Sequence, residues 1–172
     1  QVKDADTVII NEYDLRVHHV PLNEPGSYYS SPMCSGLGWC FGAALGLKLA
    51  RPESIPIVCM GDGTYHFTAP SACHFVAQNL PVVVVVFNNQ CWNAVKYSVL
   101  DLYPDGWASR NNHFVLCDLE PAPAYEKIAE AFGGYGERVE NPGQIVPALK
   151  RAISAVRMEK RQALLNVVCK HP

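Results

Sequence analysis

With 172 residues, 49% of them apolar and 17% charged, the chain carries enough apolar side chain for a substantial core and is too hydrophobic for a disordered segment. Fourteen Lys and Arg against sixteen Asp and Glu give a net charge of −2, and no basic run occurs, so nucleic-acid binding has no electrostatic basis. No apolar stretch is long enough to span a bilayer, and no signal peptide is recognisable, so no membrane association is expected.

Seven cysteines, at 34, 40, 59, 73, 91, 117 and 169, make an odd number without a CxxC pair. They read as reduced, mostly buried thiols of an intracellular, cytoplasmic protein rather than as a disulfide framework or a zinc site. The chain opens at Gln1 without an initiator methionine, and is expected to be processed or to be a piece of a longer protein.

In chain order, Thr7 to Ile10 is a short β-branched run and the first predicted strand. His18 and His19 precede a turn-rich region from Pro21 to Gly26, and Tyr28 to Pro32 reads as loop. A helix is predicted over 35–50, with Leu45 and Leu49 in the core and Gly38, Gly42 and Gly46 forming a face of small residues. Ile55 to Met60 is the second strand, which Gly61-Asp62-Gly63 turns sharply. Thr68 resembles a helix N-cap with Pro70 in the first turn, and that helix runs to about Asn79.

Val82 to Phe87 is the most hydrophobic run and is placed at the sheet centre. After Asn88-Asn89-Gln90, the segment from Cys91 to Tyr97 begins a short helix or an ordered loop, and 102–112 reads as a surface excursion. A helix follows over 123–132, stopped by Gly133-Gly134, then a strand over 135–139. A further helix carries Ile145, Leu149, Ile153 and Val156 on one stripe, and Leu164 to Val168 is the last strand. The repeated strand–helix order, without internal repeat or linker, predicts one α/β domain over 1–172: a three-layer α/β/α arrangement around a central, mostly parallel sheet.

Two apolar runs that end abruptly in small polar groups organise this reading. They are Ile57 to Met60 before Gly61-Asp62-Gly63-Thr64, and Val82 to Phe87 before Asn88-Asn89. One helix's worth of chain separates them, so Asp62 and Asn89 are expected side by side at the carboxyl edge, where open α/β sheets bind ligands. A carboxylate and an amide beside glycine turns could hold a hard cation and a phosphate, or be ordinary turns. GxxxxGK[ST] and GxSxG motifs are absent, which leaves P-loop and α/β-hydrolase chemistry without support.

Gly61-Asp62-Gly63, followed after 24 residues by Asn88-Asn89, resembles the GDG…NN signature of thiamine-diphosphate-dependent enzymes. From about Ser30 onward the chain is similar to the pyrophosphate-binding domain of the acetolactate synthase and pyruvate decarboxylase superfamily. The resemblance implies thiamine diphosphate and Mg²⁺ as cofactors. It makes Asp62, Asn89 and the backbone carbonyl of Cys91 the metal ligands, and Gly61, Gly63 and Thr64 the turn at the diphosphate. Asn88 would support that turn. Leu37 would prop the bent cofactor, and the Ser35 carbonyl would accept from its pyrimidine amino group.

It further implies a decarboxylase, carboligase or related carbon–carbon lyase acting on a 2-oxo acid or another small carbonyl compound, with the cofactor as electron sink. The activating glutamate of such enzymes lies on a pyrimidine-binding domain, elsewhere on the polypeptide or on another subunit of a homodimer or homotetramer. Neither Glu12 nor Glu24 is assigned that role, no catalytic residue is expected here, and the isolated chain is expected to be inactive. The competing expectation is a non-catalytic domain of the same fold with an assembly or regulatory role. His18, His19, Trp92, Tyr97 and Trp107 are loose candidates for substrate or interface contacts.

Overall fold

Branched side chains on Cβ crowd a helix but suit a pleated surface, and the two richest runs of them form neighbouring strands. The structure is a computed structural model that describes residues 3–12, 15–31, 34 and 36–170. In order, the elements are β1 (Thr7–Glu12), a 3-10 turn (Val17–His19), β2 (Tyr28–Ser30), α1 (Trp39–Ala50), β3 (Ile55–Gly61), α2 (Asp62–Phe67) and α3 (Pro70–Ala77). There follow β4 (Val83–Asn88), α4 (Asn93–Leu102), α5 (Trp107–Asn111), α6 (Tyr125–Ala131), β5 (Tyr135–Val139), a second 3-10 turn (Pro142–Gln144), α7 (Ile145–Met158) and β6 (Ala163–Val168).

The strands form a six-stranded sheet in the order β2-β1-β3-β4-β6-β5. All five pairings are parallel, and the β3–β4 register sets Ile57 opposite Val83 and Gly61 opposite Phe87. Alternate side chains of the central strands feed two cores, as the pleat requires. Ile57, Cys59, Val83, Val85 and Leu165 face α7, whose Ala148, Ala152, Ile153 and Val156 cover them. Val58, Met60, Val84, Val86 and Leu164 face the other way, against Phe41, Ala44 and Leu45 of α1, Ala77 of α3, and Tyr125 and Ala129 of α6. Layers of helix on both faces explain why β3 and β4 show no polar alternation. The three-layer α/β/α arrangement is therefore as expected.

Several local expectations change. Tyr28–Ser30 is not loop but a short edge strand, in register with Ile9 to Asn11 of β1. Helix α1 begins at Trp39 rather than 35, and Leu49, in its last turn, is exposed rather than in the core. A Cβ on Gly42 or Gly46 would meet nothing within 4 Å, so of the expected small-residue face only Gly38, which precedes the helix, makes a close contact among the described residues. Thr68 does not cap α3. Its hydroxyl donates to the Tyr65 carbonyl, and the cap position falls to Ala69, in the left-handed region at φ 52°. The excursion after residue 102 contains the short helix α5. Among the described residues, no helix is long and apolar enough to cross a membrane.

Candidate functional site

β3 runs into α2 without an intervening loop, so Gly61-Asp62-Gly63 is a strand-to-helix junction rather than a sharp turn. Asp62 is the first residue of that helix and is only 2% exposed. One carboxylate oxygen accepts the N–H of Gly63 at 2.9 Å, and the other accepts the N–H of Gln90, just past β4, at 2.7 Å. The adjacent strand ends are thus tied together through Asp62. Among the described residues no lysine or arginine pairs with it. Burial pushes its carboxyl above the ordinary value, against the opposing pull of the two N–H donors.

The β4 end is shaped by its own side chains. Asn89 Oδ1 accepts the N–H of Cys91 at 3.2 Å, an Asx turn, and Gln90 takes the left-handed conformation at φ 59° inside it. The Asn93 N–H then donates to the Cys91 carbonyl at 2.8 Å across Trp92, whose φ −70° and ψ 65° make an inverse γ-turn that launches α4. Cys91 pairs antiparallel with Asp118, and the Trp92 N–H donates to the Cys117 carbonyl at 2.7 Å, which fixes the turn to the following loop. Burial raises the Cys91 thiol, which favours its protonated form over a nucleophilic or soft-metal role.

Trp92 lies directly over Gly63. A Cβ built there would stand 2.6 Å from the indole ring. Phe67 packs edge-on against the same ring, with centroids 5.3 Å apart. Asn88 points inward instead: its amide donates to Asn166 at 3.0 Å, and Asn166 donates to Glu126 at 2.7 Å, all buried. Asn88 is therefore a structural support beneath the turn.

A cavity of about 590 Å³ opens at this edge. Leu37, Gly61, Asp62, Gly63, Thr64, Asn89 and Cys91 all line it, together with Trp92, Asn93, Val95 and Cys169. Its volume lies in the range of small-molecule sites, roughly 300–1,000 Å³. Every site residue expected from sequence comes together here except Ser35, which lies outside the described residues. His18 and His19 stack on each other in the exposed 3-10 turn, Trp107 packs on His113, and Tyr97 is exposed; none of these lines the cavity.

Two residues, Asn93 and Glu12, gain a place at this edge that the sequence does not signal. Asn93 lines the cavity, and its Oδ1 is buried without a donor among the described residues. Glu12 is fully buried, and its two oxygens accept the N–H groups of Gly38 at 2.7 Å and Cys40 at 3.2 Å. Nothing local signals either role, because each depends on contacts that only the fold creates.

The donor set has the chemistry a hard cation requires. The Asp62 carboxylate, Asn89 Oδ1 and the Cys91 carbonyl each retain a lone pair beyond the hydrogen bonds described, and all are oxygens, as Mg²⁺ prefers. The buried carboxylate without a cationic partner is the feature such an ion would satisfy. No three His, Cys, Asp or Glu side chains gather into a metal cluster among the described residues.

The family profile described as "Thiamine pyrophosphate enzyme, C-terminal TPP binding domain" matches residues 13–167. The chain belongs to this family. Among relatives of the thiamine pyrophosphate family, it is 34% identical over 131 residues to an acetolactate synthase large subunit of Mycobacterium tuberculosis, covering 76% of this chain and 22% of the relative. It is 28% identical over 151 residues to a sulfoacetaldehyde acetyltransferase of Castellaniella defragrans, covering 88% of this chain and 24% of the relative. In fold it is similar to a thiamine diphosphate-dependent 4-hydroxybenzoylformate decarboxylase of Rhodococcus jostii, with a TM-score of 0.79 at 24% identity over 98% of this chain and 30% of that one. The chain thus spans about a quarter of the length of the curated relatives it matches.

Proposed function

We propose that this chain is the diphosphate-binding domain of a cytoplasmic thiamine-diphosphate- and Mg²⁺-dependent enzyme acting on a 2-oxo acid or related carbonyl compound, as decarboxylase, carboligase or carbon–carbon lyase. One observation carries the reading. A buried carboxylate, Asp62, which pairs with no lysine or arginine among the described residues, is hydrogen-bonded to the Asn89–Cys91 turn in the wall of a ligand-sized cavity. Family membership supplies the identity of the ligand.

In this reading Asp62, Asn89 Oδ1 and the Cys91 carbonyl hold the Mg²⁺ of the diphosphate. Gly61, Gly63 and Thr64 sit where the backbone can approach phosphate oxygens, and Gly63 lacks a Cβ because Trp92 fills that space. Leu37 provides the apolar prop, and the Ser35 carbonyl accepts from the pyrimidine amino group. Bound thiamine diphosphate supplies the electron sink for chemistry next to a carbonyl. The chain's own residues orient it and screen the charge of its anchor.

The activating carboxylate is assigned to a pyrimidine-binding domain, elsewhere on the same polypeptide or on another subunit of a homodimer or homotetramer. The exposed apolar side chains of Leu37, Phe67 and Val95 support a covering partner here, since Leu37 and Val95 line the cavity and Phe67 packs on Trp92. Isothermal titration of the full-length polypeptide with thiamine diphosphate in the presence and absence of Mg²⁺ tests the assignment. Mg²⁺-dependent binding that Asp62→Ala abolishes is expected. A folded protein that does not bind the cofactor would refute it.

A further inference from the structure

We propose that Glu12 is a positioning residue for the cofactor's ring system, acting on Leu37 through the backbone of Gly38. The inference rests on the thiamine diphosphate reading above. Glu12 ends β1, the neighbour of β3, and therefore reaches the same carboxyl edge as Asp62. Its side chain is fully buried, yet it forms no ion pair among the described residues. Both carboxylate oxygens are instead spent on the segment that opens α1: one accepts the Gly38 N–H at 2.7 Å, the other the Cys40 N–H at 3.2 Å. The positive end of the α1 dipole compensates the charge.

Gly38 is held from the other side as well. It adopts φ +89°, and a Cβ there would stand 2.6 Å from the Phe67 carbonyl at the end of α2. The segment carrying Leu37 is therefore clamped between a buried carboxylate and the helix that begins with Asp62. Leu37 itself lines the cavity and is 44% exposed, so its side chain is only partly held by packing. The peptide bond it shares with Gly38 is held by Glu12. Such an arrangement ties the apolar prop to β1 through hydrogen bonds in which Asp62 and Asn89 take no part. It gives the two halves of one ligand separate supports.

That separation makes the role testable apart from general stability. Tryptophan fluorescence of the full-length polypeptide, with Trp92 beside the site, is titrated with thiamine diphosphate and, separately, with inorganic pyrophosphate, both with Mg²⁺. Glu12→Gln keeps one acceptor but sets an amide N–H₂ against a backbone N–H. It is expected to raise the Kd for thiamine diphosphate about tenfold while leaving that for pyrophosphate within about twofold. Leu37→Ala is expected to show the same selectivity and to add little in the Glu12→Gln background, because both remove one support.

Should Glu12→Gln not fold, Glu12→Asp, which keeps the charge but shortens its reach, is expected to show the same pattern. Equal weakening of both ligands, or of neither, overturns the positioning role and assigns Glu12 to folding alone. Failure of the unsubstituted protein to bind thiamine diphosphate overturns the cofactor reading and this inference with it. Loss of the expected selectivity in the variants, where the unsubstituted protein binds thiamine diphosphate, overturns only the inference.

Discussion

Gly63 sits where the chain leaves β3 for α2, with the Trp92 indole at the distance a methyl group would need. Gly63→Ala must therefore displace Trp92 or the backbone of α2, and a cost of about 1–3 kcal/mol is expected, as for other overpacked sites. Because Trp92 follows Cys91 directly, the same change is expected to weaken Mg²⁺-dependent cofactor binding, read as a raised Kd in a calorimetric titration. His74 makes a second residue-level case. It is fully buried, with one ring nitrogen 2.7 Å from the Tyr65 hydroxyl and the other 2.6 Å from Gln162 Oε1. The Gln162 amide donates to the His74 carbonyl, which orients that side chain and makes His74 Nδ1 the N–H donor and Nε2 the acceptor. Burial lowers the His74 pKa, so below the ordinary histidine value the unfolded chain takes up a proton that the folded one refuses. Stability is then lost as pH falls from about 6.5, by at most about 1.4 kcal/mol per pH unit until the folded group also protonates. Urea midpoints between pH 8 and pH 5.5 check this, and His74→Asn is expected to flatten the dependence.

At the scale of elements, β3 and β4 carry both the stability and the site, since the strands that fill two cores also end in Asp62 and Asn89. Val84, at the sheet centre and facing α1, α3 and α6, is 1% exposed; Val84→Ala is expected to cost about 2–3 kcal/mol in chemical denaturation. These strands were legible because unbroken branched apolar runs have few other uses, and their polar ends marked the functional edge. The α7 stripe was legible for the same reason: its 3.6-residue period matches the face that covers Ile57 and Val83. What escaped were features decided by partners distant in sequence. Tyr28–Ser30 becomes a strand only because β1 offers an open edge. Thr68 has the chemistry of a cap, but its hydroxyl finds the Tyr65 carbonyl first. Glu12 contacts Gly38, 26 residues away, and the orphaned Asn93 oxygen follows from a γ-turn that no residue pattern announces.

For the whole molecule, Leu37, Phe67 and Val95 are exposed at the rim of the cavity, beside the buried carboxyl of Asp62. Such a face suits coverage by an apolar partner surface. The full-length polypeptide is accordingly expected to sediment as a dimer or tetramer, and a monomer at micromolar concentration would speak against a shared site. The central claim is that Asp62 and the Asn89–Cys91 turn hold the metal of a thiamine diphosphate anchor. The most direct measurement is calorimetric titration of thiamine diphosphate into the full-length polypeptide, with and without Mg²⁺, beside the Asp62→Ala variant. Saturable binding is expected only with Mg²⁺, and it is expected to be lost in a variant that remains folded by circular dichroism. Binding that is indifferent to Mg²⁺, or that survives Asp62→Ala, would contradict the claim.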